Sequence, residues 1–77
     1  MNTATKIAFA IIEEKEARNT VPACATWIEI YRRAQGYDMT GEQMHRQLNE
    51  GVRAGYLTHS RYINGDMYEK GESNGQE

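Results

Sequence analysis

One cysteine, one proline and one tryptophan stand among 77 residues. Each scarcity excludes something. A lone thiol, Cys24, cannot close an internal disulfide, so a stapled secreted framework is ruled out and a reducing cytoplasm is the compartment expected. Long apolar runs are also missing. Ile7-Ala8-Phe9-Ala10-Ile11-Ile12 is cut off at once by Glu13-Glu14-Lys15-Glu16. A secretory signal needs an apolar core of roughly 7–15 residues followed by a small-residue cleavage site. A membrane-spanning helix needs about 20 apolar residues. Neither pattern is met, and no membrane partner is expected.

A surplus of positive charge is missing too. The chain carries 9 basic and 11 acidic residues, for a net charge of −2. Strong nucleic-acid binders usually show a basic excess. Two of the acids, Glu72 and Glu77, lie in a tail from Gly71 to Glu77 that has no basic residue and no apolar one. Without them the rest of the chain is neutral, and local patches decide. The tail composition predicts disorder.

Reactive chemistry is the last absence. Cys24, His45 and His59 are the only soft metal ligands, and no CxxC or HxxxH spacing joins them. Cys24 lacks an evident third group to orient a histidine base; between Ala23 and Ala25 it reads as a small buried residue. There is no phosphate loop, no GxGxxG and no carboxylate pair for acid–base work. No metal, cofactor or enzymatic activity is expected. A chain this short forms one domain, and such domains bury only about 60% of their unfolded surface. That leaves no room for a deep cleft beside a core.

What is present is helical periodicity followed by strand alternation. Ala4, Ile7, Ala8, Ile11 and Ile12 share one face and predict helix one over Thr3 to Arg18. Phe9 sits at the edge of that arc. It reads either as a peripheral core residue or as a homodimer contact made through helix one. Asn19-Thr20-Val21-Pro22 is a break, because proline biases its predecessor away from helix. Helix two is expected from Pro22 or Ala23 to Gln35. Its buried stripe is Trp27, Ile30, Tyr31 and Ala34, with Ile28 flanking, and Gly36 is the expected left-handed stop. Thr40 with Gln43 completes a capping-box pattern. Helix three follows, from Gly41 to about Ala54. Met44, Leu48 and Val52 line its buried side, and Gly51 signals close packing, since glycine there costs about 1 kcal/mol against alanine. Gly55 ends it. Tyr56 to Ile63 alternates as a strand, Asn64-Gly65 is a strong hairpin signal, and Asp66 to Lys70 returns. A two-residue turn at Asn64-Gly65 would pair Arg61 with Tyr68, and a three-residue loop would shift that register.

Met44, Leu48, Val52 and Gly55-Tyr56-Leu57, then a strand, Asn-Gly and a strand containing Tyr68, resemble the winged helix-turn-helix superfamily. The resemblance covers Thr3 to Lys70. It implies an α+β fold: three helices with a C-terminal β-hairpin wing, spanning residues 1–70 ahead of the tail. It also implies that helix three enters the DNA major groove and that the wing touches backbone or minor groove. Winged helices also serve as protein-docking modules.

The residues of helix three can be weighed without the resemblance. Glu42, Arg46, Asn49 and Arg53 form the stripe opposite Met44, Leu48 and Val52, bordered by Gln43, Glu50 and His45. Arg suits guanine and Asn suits adenine in bidentate contacts. Gln43, Arg46 and Asn49 are therefore the candidate base readers, with Arg53 on phosphate and Thr40 holding a phosphate at the helix N-terminus. Arg32 and Arg33 on helix two are further phosphate candidates or a solvated pair. On the wing, Arg61 and Lys70 bring positive charge, opposed by Asp66 and Glu69. Tyr62 packs either on sugar or over the core edge. The same stripe also reads as a solvated face, since Glu42 and Arg46 are spaced to pair with each other. It further reads as a protein-binding face, since Glu42 and Glu50 would repel phosphates. Two functions follow. One is a DNA-binding transcriptional regulator reading duplex DNA, with a second copy reading a second half-site. The other is an adaptor of the phage or plasmid type that modulates a host protein.

Overall fold

The computed structural model describes residues 1–63 and 65–71; Asn64, the side chain of Tyr62 and residues 72–77 lie outside the described residues. The expected Asn64 turn residue, the two readings of Tyr62 and the expected disorder of the tail therefore fall outside it. Gly71 does not behave as tail. Its N–H donates to the Tyr56 carbonyl at 2.7 Å.

α1 spans Thr3–Ala17. Asn2 caps it, its side chain accepting from the Thr5 N–H at 2.9 Å. The expected face is buried, and so are Thr5 and Phe9. Asn19 ends the helix in the left-handed region at φ 59°. Thr20 N–H reaches back to Lys15 O at 2.8 Å and Asn19 N–H to Glu16 O at 3.0 Å, the bonding of a Schellman motif.

Helix two begins later than its spacing predicts. Ala25–Thr26 is a short strand, β1, and α2 spans only Trp27–Ala34. Thr26 and Glu29 form a capping box there, satisfying two orphan amides reciprocally. An extended Thr26 is what that box requires, so the chain cannot already be helical at Ala23. Ile30 and Ala34 are fully buried. Trp27 and Tyr31 are only half-buried and stack on each other, centroids 4.9 Å apart. A 3-10 turn, Gln35–Tyr37, follows. The left-handed residue after it is Asp38 at φ 55°, not the expected Gly36.

α3 spans Gly41–Arg53 with the expected Thr40–Gln43 capping box. Met39 before the cap and Met44 after it are both buried in the core, in the positions of a hydrophobic staple. Gly55, at φ 88°, closes the helix, and Tyr56 N–H donates to Gly51 O at 2.9 Å.

β2, Leu57–Tyr62, and β3, Gly65–Lys70, form the hairpin. β1 adds to the other side of β3, so the antiparallel sheet runs β1-β3-β2. The two-stranded ribbon expected from the sequence is a three-stranded sheet. Tyr62 pairs with Gly65 and Arg61 with Asp66. The connection falls one residue earlier than a turn at Asn64-Gly65 would place it, and Gly65 opens β3 at φ 121°. Burial explains the register. It brings Leu57 and Tyr68 to the core side together with Ala25, which pairs with Tyr68. A one-residue slip would turn a strand inside out.

Three cations bind the layers together. Lys15 Nζ donates to Cys24 O at 2.7 Å and to Glu29 Oε1 at 2.9 Å, joining α1 to the cap of α2. Lys70 Nζ lies 3.0 Å from Glu16 and 3.6 Å from Glu13, joining β3 to α1. It also sits 5.7 Å above the Phe9 ring. Arg33 grips Glu14 through two hydrogen bonds of 2.6 and 2.9 Å. Phe9 is only 8% exposed. The exposed ring that a Phe9 homodimer contact needs is not there, because Phe9 belongs to the core beneath Lys70.

Candidate nucleic-acid interface

The N-terminus of α1 sets the orientation of α3. Asn2 Nδ2 donates to Gln47 O at 2.8 Å and to Glu50 Oε1 at 3.1 Å. The Ala4 N–H donates to Gln47 Oε1 at 2.9 Å. Thr5 Oγ1 donates to Gln47 O at 3.3 Å. Gly51 lies against the Thr5 side chain, and a Cβ there would collide with the Thr5 hydroxyl. Gln47 was not among the candidates read from sequence. The signal for it was the bare Gly51, which marked where α1 crosses, one turn beyond Gln47.

Held this way, α3 buries Met44, Leu48 and Gly51 and exposes Glu42, Gln43, His45, Arg46, Asn49, Glu50 and Arg53. Among the described residues, Arg46, Asn49 and Arg53 have no side-chain hydrogen bond or ion pair. Glu42 has none either, so the i, i+4 pair with Arg46 does not form. Arg46 and Asn49 sit on adjacent turns of the outward face. Arg53 lies in the last turn, where the helix dipole favours a cation.

Two candidates are already engaged. Gln43 Oε1 accepts from the Thr40 N–H at 3.0 Å, and Thr40 Oγ1 accepts from the Gln43 N–H at 3.1 Å. A bidentate contact with adenine needs both the carbonyl and the amino group of Gln43. It would have to break the cap, at about 1 kcal/mol. Thr40 keeps its hydroxyl proton, which remains able to donate to a phosphate.

No protein-family model matches the chain, and no curated protein or solved structure matches it.

The remaining candidates divide. Arg33 is held on the α1 side by Glu14, which keeps its guanidinium above the ordinary arginine value and the Glu14 carboxyl below the ordinary glutamate one. Arg32 is exposed and makes no ion pair with a described residue. Arg61 is 84% exposed along its side chain and reaches Asp66 only at 3.6 Å. The nearer partner of Asp66 is His59, whose Nε2 donates to it at 2.9 Å while its ring stacks on Tyr68. That bond is the main cause holding the Asp66 carboxyl below its usual value.

Elsewhere the side chains are buried or dispersed. Cys24 is a buried free thiol whose pKa burial pushes up. Such a thiol is a poor nucleophile. Among the described residues, no three of His, Cys, Asp and Glu are grouped to hold a metal ion, and no helix is long and apolar enough to cross a membrane.

Proposed function

We propose that this chain is a winged-helix protein that binds duplex DNA inside the cell, as a transcriptional regulator, with α3 as the reading element. The order α1-β1-α2-α3-β2-β3 and the sheet order β1-β3-β2 are consistent with a winged-helix arrangement. One contrast carries the reading. The fold engages Lys15, Arg33 and Lys70 in ion pairs, while Arg46 and Arg53 on the outward face of α3 stay uncommitted among the described residues. Arg46 is assigned to guanine and Asn49 to adenine, by the shape of their hydrogen-bonding groups. Arg53, Arg32 and Arg61 are assigned to phosphates, with Thr40 donating to a further phosphate oxygen. Gln43 stays with the cap.

Three phosphate-bound arginines give a slope of log K against log salt of roughly −3, shallow for a DNA-binding protein. The test is selection of bound sequences from a random duplex pool, followed by fluorescence anisotropy. Arg46→Ala should lose about 1–3 kcal/mol of discrimination at one base pair. Arg53→Ala should weaken all duplexes alike and lower the salt slope by about 1. A wild-type chain that enriches no sequence and holds no duplex at low salt would overturn the assignment. The exposed Ile28, Tyr37 and Ile63 favour a protein partner as the second reading, and that outcome would select it.

A further inference from the structure

The outer face of α1 is shaped and charged for a second helix. Thr3, Lys6, Ala10, Glu13 and Ala17 follow one another at three- and four-residue steps, which puts them on one side. All but the half-buried Thr3 are exposed. Beside them runs a surface groove of about 380 Å³ between α1 and the end of α2, lined by Thr3, Lys6, Ile7, Ala10, Arg33 and Tyr37. Ala10 leaves its middle open, and Tyr37, 64% exposed, stands at its rim.

Charge along this face is divided by end. Lys6 lies near the N-terminus and makes no ion pair with a described residue. Glu13, Glu14 and Glu16 lie near the C-terminus. Both oxygens of Glu14 are taken by Arg33. Glu13 has a 62% exposed side chain and one long contact, 3.6 Å, with Lys70. Lys70 keeps its nearer bond to Glu16 at 3.0 Å without it.

We infer that α1 packs antiparallel against α1 of a second copy of this chain across this face. Antiparallel packing centred on Ala10 brings each Lys6 to the partner's Glu13, twice over, and opposes the helix dipoles favourably. Parallel packing would set Lys6 against Lys6 and Glu13 against Glu13. Ala10 allows the two backbones to approach closely, and the groove beside it receives side chains of the second helix under Tyr37. Phe9, facing the core, has no part in it. No residue of α3 lines this groove, so the association uses none of the residues assigned to base contacts.

Sedimentation equilibrium of the full chain at low salt tests the inference. Wild type should dimerise weakly, and more weakly as salt rises. Lys6→Glu and Glu13→Lys should each weaken dimerisation about tenfold, since each turns two attractions into two repulsions. Mixing the two variants in equal amounts should restore the dimer, because every cross pair is again opposite in sign. Both positions are exposed, and circular dichroism melts verify that each variant is folded. A measurement without variants runs alongside: amide shifts that change with wild-type concentration should fall at Lys6, Ala10, Ala17 and Tyr37. A wild type that stays monomeric, a dimer indifferent to both reversals, or a mixture that fails to reassociate would each overturn the proposal.

Discussion

Substituting Gly51 by alanine puts a methyl group into the closest approach of α1 and α3. Helix propensity alone favours the change by about 1 kcal/mol. The packing opposes it. The new Cβ would overlap the Thr5 hydroxyl and lie 3.1 Å from Thr5 Cγ2 and 3.3 Å from Thr5 Cβ. Thr5 is fully buried, and a β-branched side chain in a helix has few rotamers to escape into. Overpacking of this kind costs about 1–3 kcal/mol. Turning the hydroxyl aside forfeits its bond to Gln47 O, worth about 1 kcal/mol. The net expectation is a loss of about 1–3 kcal/mol, or a fall in melting temperature of roughly 5–20 °C for a domain of this size. Urea and thermal unfolding, followed by the fluorescence of the single tryptophan, Trp27, and by circular dichroism, measure it. Thr5→Ala removes the two clashing atoms beyond Cβ. The double variant should therefore recover at least about 1 kcal/mol relative to the sum of the single changes. Gly51→Ala as stable as wild type, or more so, would refute the reasoning, because propensity would then act unopposed.

Other expectations follow from single groups. The Tyr68 hydroxyl is buried without a hydrogen-bond partner among the described residues, so Tyr68→Phe should be neutral or stabilising by up to about 1–3 kcal/mol in urea unfolding; a marked loss would mean that the hydroxyl is satisfied. Burial pushes the Tyr68 phenol up from 10.0 to about 12. Its contribution to stability is therefore complete below pH 10 and disappears as pH rises through 12. The difference between wild type and Tyr68→Phe should change only in that alkaline window. Asp66 moves the other way, held below its ordinary 3.8 chiefly by His59. Its contribution is complete above that value and disappears as pH falls below it, so Asp66→Asn should lower stability at neutral pH, converge on wild type in acid, and so flatten the acid limb of the stability profile.

The parts that could be read in advance are those written in local chemistry. Thr40 and Gln43 announce the start of α3, Gly55 its end, and the spacing from Ala4 to Ile12 the buried face of α1. β1 is only two residues long, too short for any alternation to appear. Its signal was the capping pattern Thr26-Trp27-Ile28-Glu29, which forces Thr26 to be extended and sets the start of α2. Spacing put Trp27 and Tyr31 on the buried stripe of α2, and they pack against the core but only half-buried, their rings stacked beside Gly41. The hairpin signal pointed to two paired strands and left their register open, because burial of Leu57 and Tyr68 fixes the register from outside the connection. On α3, residue type identified which side chains carry groups that could pair with a base. It could not tell that Glu14 takes Arg33 from 19 positions away, or that the cap engages Gln43. Those commitments are made by the fold.

The contacts that seat α1 reach far along the chain. Asn2 bonds to Gln47, 45 positions later, and Glu16 to Lys70, 54 positions later. During synthesis the first helix can meet α2 early, through Lys15–Glu29 and Glu14–Arg33, but its seat on α3 and β3 is complete only once Lys70 has been made. At about 5–20 residues per second, the interval between Asn2 and Lys70 lasts roughly 3–14 s. For that time α2 alone can cover the apolar row from Ile7 to Ile12, and the covering stays partial. The last strand thus completes a core that α1 and α2 can only begin, and non-local contacts of this kind are the ones that slow folding.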